Sequence, residues 1–166
     1  MLNFLIRCIL RDVPTAYLET AYHAEWLRGI GKDQAIARKA VATKVYIESN
    51  DICTMYVPIG TPGHWSLLVL DLKSHRYIYL DPMVNGDANP PSQVSLVLAY
   101  YNSLVGGQAF VRDTSVKVGT PDYPHQGRTM DCALYTALYV AVHATQSQGV
   151  RMVSIYIFHD IHPMYM

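Results

Sequence analysis

Apolar residues in this chain gather into runs with contrasting periods, and the clearest pair lies between Gly63 and Met83. Trp65 to Leu72 is apolar with hardly a break, and Arg76 to Leu80 (Arg-Tyr-Ile-Tyr-Leu) is aromatic and β-branched. Such side chains suit a pleated, buried surface, so both runs read as strands, with Lys73-Ser74-His75 as the hairpin loop between them. The unbroken apolar character of the first run predicts a strand covered on both faces, in the middle of a sheet. Ile52 to Ile59 predicts another strand, limited in its pairing by Pro58, and Gly60-Thr61-Pro62-Gly63 forms the turn into the hairpin.

Elsewhere the period is helical. Tyr17, Leu18, Ala21, Tyr22, Trp26 and Leu27 recur at three- and four-residue spacings. They predict a helix from Ala16 towards Val41, with Thr15 as N-cap and Glu19 at the positive end. Gly29-Ile30-Gly31 interrupts it, and Asp33 caps a second helix through Ala40; Tyr46-Ile47 is too short to assign. Asn85 to Pro91 is a loop by composition, and Ser92 caps a helix to about Leu104 that Gly106-Gly107 ends. Ala109 to Val118 has strand character, and Gly119 to Arg128, rich in Gly and Pro, reads as an ordered loop. Met130 to about Ala144 is apolar all round, which predicts a buried central helix with Asp131 at its N-terminus. Val153 to Phe158 is strand-like. No repeat or linker divides the chain, so one domain over residues 1–166 is expected, large enough to bury a substantial core.

Charge narrows the field of partners. Lys and Arg total 13, as do Asp and Glu, so nothing calls for nucleic acid or an anionic membrane, each of which needs a basic surface. Cys8, Cys53 and Cys132 are odd in number, far apart and free of any Cys-x-x-Cys pair. That argues against a disulfide framework or a metal site and for a reducing compartment. The first ten residues are apolar but broken by Arg7, without a basic start or a small-residue cleavage site, and read as part of the fold. No apolar run approaches the roughly 18 residues needed to span a bilayer.

Chemistry concentrates at the ends of these elements. His64 opens the first hairpin strand and Asp81 closes the second, 17 positions on (81 − 64). An antiparallel hairpin brings those ends side by side, with the carboxylate expected to hold the imidazole by Nδ1–H, as a general base requires. Cys132 begins the buried helix, where free N–H groups and a partial positive charge stabilise a thiolate. Gln126, six positions earlier (132 − 126), reaches over the same helix end and can donate its amide to an oxyanion. Singly, each residue has a commoner role: a core cysteine, a turn histidine, an Asp before Pro in a turn. Cys8 and Cys53 lie inside apolar runs and take the core reading outright. His23, His75, His125, His143, His159 and His162 have no partner at a telling spacing and read as structural or solvated. Tyr77, Tyr79, Tyr100, Tyr101, Tyr135 and Tyr139 read as core.

In combination these residues say more. Val57-Pro58-Ile59, His64-Trp65-Ser66-Leu67, Asp71-Leu72, Tyr79-Leu80-Asp81, Gln126 and Asp131-Cys132 together closely resemble the SUMO-specific, ubiquitin-like-protein cysteine peptidases. The adenovirus maturation proteases are more distant relatives. The resemblance is strong from about Met55 to Met83 and from Gln126 to about Tyr139, and weak elsewhere. It implies an α+β fold in which a central helix carrying the nucleophile packs on a mixed, largely antiparallel sheet. It implies Cys132 as nucleophile, His64 as general base, Asp81 as its orienter and Gln126 as part of the oxyanion hole. Trp65 would line the narrow channel that admits a Gly-Gly terminus, and only Gly passes a large indole without a Cβ clash. No cofactor is called for.

Three departures accompany the match. Ala133 stands where the family usually has Gly after the nucleophile. The family's upstream Trp-Leu element has no good counterpart; Trp26-Leu27 has the composition but is followed by Arg28-Gly29-Ile30, and no role is carried over. The chain is also short on its N-terminal side, where family members hold much of their modifier-recognition surface. The expected activity is cleavage after the Gly-Gly of a SUMO-like modifier or ubiquitin, by a monomer in the cytoplasm or nucleus, or in a host cell for a viral or bacterial protein. The alternatives are a non-catalytic modifier-binding module on the same scaffold and a viral-type processing protease. Acetyl transfer, as in some bacterial effectors of related fold, ranks last because no basic pocket for acetyl-CoA phosphates is evident.

Overall fold

The computed structural model describes residues 1–19, 27, 33–106, 108–127 and 131–147. Helix α1 (Leu2–Leu10) is amphipathic, burying Leu2, Ile6 and Leu10 at four-residue spacing while Phe4 and Arg7 face outward. It is followed by β1 (Ala16–Leu18), α2 (Asp33–Ser49), β2 (Thr54–Thr61), β3 (His64–Asp71), β4 (Arg76–Leu80), α3 (Ser92–Leu104), β5 (Val111–Arg112) and α4 (Cys132–Ser147). The five strands form one sheet in chain order, with parallel pairs at its two edges and antiparallel pairs in the middle. This is the mixed, largely antiparallel α+β sheet expected.

β3 is the central strand, and its period of two divides the core. Leu68 and Leu70 face a cluster with Val94, Val97 and Tyr101 of α3 and Ile47 of α2. Leu67 and Val69 face the opposite cluster, with Ala137, Val140 and Ala144 of α4 and Ile6 of α1. The molecule is thus three-layered, with α2 and α3 on one side of the sheet and α1 and α4 on the other. Burying each large aliphatic of these clusters contributes about 1.5–3 kcal/mol. The hairpin turns where Asp71 Oδ1 accepts the N–H groups of Lys73 and Ser74, both at 2.9 Å.

Several expectations need correction. Ala16–Leu18 is a strand, not the start of a helix: it pairs in parallel with Thr54–Tyr56, and Thr15 accepts from Cys53 and Thr54 instead of capping a helix. Glu19 sits beyond that strand, 1% exposed, with Oε1 3.1 Å from Lys39 Nζ and Oε2 accepting the Tyr101 hydroxyl at 2.8 Å. The helix from Asp33 continues to Ser49, taking in Tyr46-Ile47. Ser92 is the first helical residue and Pro91 the N-cap, without a side-chain cap bond. Only Val111–Arg112 of the Ala109–Val118 run forms a strand; Val118 pairs separately with Gly86. Pro58 lies inside β2, opposite Leu67, and is tolerated because β1 has ended on its other side. Residues 153–158 lie outside the described residues. Among the described residues, no helix is long and apolar enough to cross a membrane.

Candidate active site

The end of the sheet where β3 begins and β4 finishes gathers the polar residues. Leu67 pairs with Leu80, so continuing the register one step sets Asp81 opposite Ser66. His64 therefore reaches the carboxylate diagonally, and the bond forms: His64 Nε2 lies 2.8 Å from Asp81 Oδ1. The imidazole is 18% and the carboxylate 15% exposed, so the pair is shielded without being sealed. This corrects the expectation that Nδ1 is the held nitrogen. A diagonal approach needs the longer reach, and Nε2 is the ring nitrogen farther from the backbone. A carboxylate only accepts, so the neutral ring donates Nε2–H and keeps its lone pair on Nδ1. Nδ1 is buried and has no hydrogen-bond partner among the described residues. Such an arrangement can serve as a base, with its proton-accepting atom vacant.

Asp81 is itself well held. Oδ1 also accepts the Met83 N–H at 2.9 Å, closing a turn in which the Val84 N–H donates to Asp81 O at 3.1 Å. Oδ2 lies 3.5 Å from the Tyr79 hydroxyl, which is 3.0 Å from Ser66 Oγ. Burial, chiefly, pushes the Tyr79 hydroxyl up to about 12, so it stays protonated as a donor near neutral pH. From sequence Tyr79 reads as core alone. Its place two residues before Asp81 on a strand, and so on the same face, was the available signal.

Cys132 is the first residue of α4 and is 7% exposed, so the reactive atom candidate sits at a helix N-terminus under cover. The helix is anchored behind it: Asp131 O accepts from Leu134 at 2.8 Å and Tyr135 at 3.1 Å, and Cys132 O accepts the Thr136 hydroxyl at 2.8 Å. Two turns on, the Tyr139 hydroxyl donates to Pro124 O at 2.6 Å. Its pKa is raised by burial first, then by Tyr135 and Asp81. Helical side chains lean towards the N-terminus, so the Tyr139 hydroxyl lies on the Cys132 side. Ala133 packs with Trp65 against the same core cluster. Cys132 thus opens the helix that packs on the strand opened by His64, without a hydrogen bond between thiol and ring in this state.

Gln126 is 5% exposed on the loop before α4, and its N–H donates to Pro82 O at 3.0 Å, one residue past Asp81. His125 beside it takes part in the same junction, with Nε2 3.0 Å from Met83 O. The sequence marks it as structural or solvated, and its adjacency to Gln126 is the signal available there. Trp65 is half-buried across from Gly60, where an added Cβ would fall 2.8 Å from the indole Cζ3. Trp26 lies outside the described residues, and Leu27 packs on the α2–α3 core. Cys8 is exposed on α1 instead of buried in it, because the helix turns that position away from its buried stripe; Cys53 is half-buried. Among the described residues, no group of three or more His, Cys, Asp or Glu side chains is placed to hold a metal.

Comparison with known proteins bears on the family and the fold. Residues 22–160 match the Ulp1 protease family, C-terminal catalytic domain. No curated protein matches the chain. Among solved structures it is similar to the SUMO protease Ulp1 with its catalytic cysteine oxidised to a sulfenic acid, at 20% identity and a TM-score of 0.65, covering 94% of this chain and 68% of that one. It is also similar to the C-terminal Ulp1 protease domain in complex with Smt3, the yeast ortholog of SUMO (18%, 0.63, covering 92% and 66%). The Ulp1-like SUMO protease catalytic domain of Chaetomium thermophilum is a third (21%, 0.64, covering 90% and 59%). Identities this low speak for the fold. The chain spans between 59% and 68% of the length of these three. The match over most of its residues is to a family of cysteine proteases, and the chain belongs to the Ulp1 protease family, as its C-terminal catalytic domain.

Proposed function

We propose that this protein is a thiol peptidase that cleaves after the C-terminal Gly-Gly of a SUMO-like modifier, maturing its precursor or releasing it from a lysine. The observation that carries this reading is the His64 ring held at Nε2 by Asp81, with Nδ1 buried and unengaged, on a strand against which the helix that begins at Cys132 packs. In the proposed reaction, Nδ1 takes the Cys132 thiol proton, and the thiolate attacks the carbonyl carbon of the terminal Gly. The oxyanion is met by the Gln126 side-chain amide and by the free N–H groups of the α4 terminus. His64 then gives its proton to the leaving amine, and the C–N bond breaks. Water, deprotonated by the same ring, attacks the thioester and frees the modifier carboxylate and the thiol. In the present state Nδ1 and the thiol are not hydrogen-bonded, and binding of substrate is expected to bring them together, as is common for catalytic pairs.

Trp65 is assigned to the channel wall for the Gly-Gly segment. Its indole already lies so close to Gly60 that a single Cβ there would collide with it, and side chains on the substrate would meet the same flat wall. Support for a SUMO-like class comes from the family match and from the fold shared with a domain solved in complex with Smt3.

Covalent capture tests the proposal. The protein is incubated with SUMO and ubiquitin carrying a C-terminal electrophile, and products are weighed intact. An adduct on Cys132 with SUMO alone is the expected result. An adduct with ubiquitin alone would move the substrate class. No adduct with either, while iodoacetamide still labels Cys132 ahead of Cys8 and Cys53, would keep an active thiol but overturn the modifier assignment. No reaction at Cys132 at all would leave a non-catalytic module.

A further inference from the structure

We propose that His125 is a positioning residue: as the neutral Nε2–H tautomer it fastens the loop carrying Gln126 to the turn carrying Asp81, and its protonation loosens that loop. The proposal rests on the reading of Gln126 as oxyanion donor.

The ring makes two bonds of opposite sense. Its Nε2 lies 3.0 Å from Met83 O, and its Nδ1 lies 3.0 Å from the Gly127 N. A carbonyl only accepts, so Nε2 must carry the hydrogen; an amide N–H only donates, so Nδ1 must be bare. One protonation state alone satisfies both contacts, and it is neutral. The Gln126 N–H adds a third bond, to Pro82 O at 3.0 Å. Gln126 is therefore gripped on both sides: His125 ties it to residues 82–83, and the same ring folds the chain back at Gly127. Gly127 has φ +67°, a left-handed conformation that glycine adopts without cost, which lets so tight a fold form.

The turn that receives these bonds is the one whose N–H groups hold Asp81, since the Met83 N–H donates to Asp81 Oδ1 at 2.9 Å. His125 thus joins the Gln126 loop to the support of the His64–Asp81 pair. Protonating Nδ1 would set two donors against each other at Gly127 and break the fold there. Imidazole is the side chain whose charge changes between about pH 5 and pH 8. Of the titratable groups on the elements around it, Asp81, Asp122, Tyr123 and Tyr139 have partners of their own, Tyr123 donating to Gln146 Oε1 at 3.0 Å, and the Asp131 carboxylate before α4 is exposed. Asp81 on the turn holds His64, Asp122 on its own loop accepts from Gln146 at 3.1 Å, and Tyr139 of α4 donates to Pro124. Among the described residues, none of them bonds the His125 ring.

The test pairs NMR with turnover of a SUMO precursor extended past its Gly-Gly, in the wild type, His125→Ala and His125→Asn, from about pH 8 to about pH 5. In the wild type the Gly127 amide shift should move together with the His125 ring titration. His125→Ala should lower kcat roughly tenfold to a hundredfold with KM little changed, as expected when an oxyanion donor is misplaced. His125→Asn offers a side-chain oxygen to the N–H two residues on, as an Asx turn, and cannot titrate there. It should recover most of the loss and, between pH 8 and pH 6, lose less of its turnover than the wild type does. A Gly127 shift that ignores the ring titration, or an Ala variant with wild-type kcat, would overturn the proposal. A wild type inactive on every modifier would count against the function above, and the clamp would then stand or fall on the NMR result.

Discussion

Asp81 holds His64 by its outer nitrogen, at 2.8 Å, and leaves the inner one buried and unengaged. The carboxylate therefore decides which nitrogen is basic as well as where the ring sits. Asp81→Asn removes that choice, because an amide presents an oxygen or an N–H to Nε2 and admits either tautomer. It also removes the charge that steadies the imidazolium formed after proton transfer. Turnover of a SUMO precursor is expected to fall by about two to four orders of magnitude in kcat. Steady-state kinetics read this directly, and a loss under tenfold would remove Asp81 from the catalytic set.

Cys132→Ala exchanges one small side chain for another at a buried helix start whose Thr136 and Asp131 contacts involve backbone oxygens. The fold and its circular dichroism should persist while turnover vanishes. Modifier binding should survive, measurable by calorimetry. Cleavage that continues in this variant would remove Cys132 as nucleophile.

The parts of this site visible in sequence are those where one local rule decides the outcome. Leu67–Leu70 reads as the heart of a central strand because nothing polar interrupts it, and the polar Lys73-Ser74-His75 marks the hairpin turn. Cys132 stands out because a polar loop gives way at once to an apolar helix. Ala16–Leu18 misleads because its aromatic and aliphatic spacing mimics a helix. Only pairing with Thr54–Tyr56, nearly forty positions away, makes it a strand. Glu19 misleads with it: a helix-favouring acid on paper, it is a buried acceptor for Lys39 and Tyr101, from elements absent from its own neighbourhood in the chain. The choice of Nε2 over Nδ1 depends on the one-step register offset that sets Asp81 beside Ser66, and no motif spacing records that. His125 escaped notice because its partners are main-chain atoms, which carry no sequence signature.

Gly60 and Trp65 face each other across β2 and β3. A methyl on Gly60 would approach the rigid indole to 2.8 Å, so the ring must move. Gly60→Ala is expected to cost about 1–3 kcal/mol through overpacking, which for a chain of this size lowers Tm by roughly 2–12 °C. If Trp65 walls the Gly-Gly channel, KM for the precursor should rise as well. An unchanged Tm together with an unchanged KM would show that the indole is free to shift and is no fixed wall.

His143 gives the fold a separate dependence on acid. It lies on the far half of α4 with Nδ1 3.0 Å from the Tyr56 hydroxyl of β2. Burial pushes its pKa below the ordinary imidazole value, with the Asp71 carboxylate opposing. As pH falls, the unfolded chain takes up this proton before the folded protein does. The stability owed to neutral His143 is therefore complete above the unfolded value of about 6.5. It is lost progressively as pH drops from there through the lower folded value. Tyr56, Tyr123 and Tyr139 act at the other end. Burial raises all three, so their contribution is complete below about pH 10 and is lost as pH rises past it. His143→Gln still offers an acceptor to the Tyr56 hydroxyl but cannot take a proton. Urea unfolding of the two proteins should differ in slope below about pH 6.5, with the variant losing less stability on acidification, and should run parallel from pH 7 to pH 9. Equal acid slopes would show that the Tyr56–His143 contact survives protonation and that the acid limb belongs to other groups.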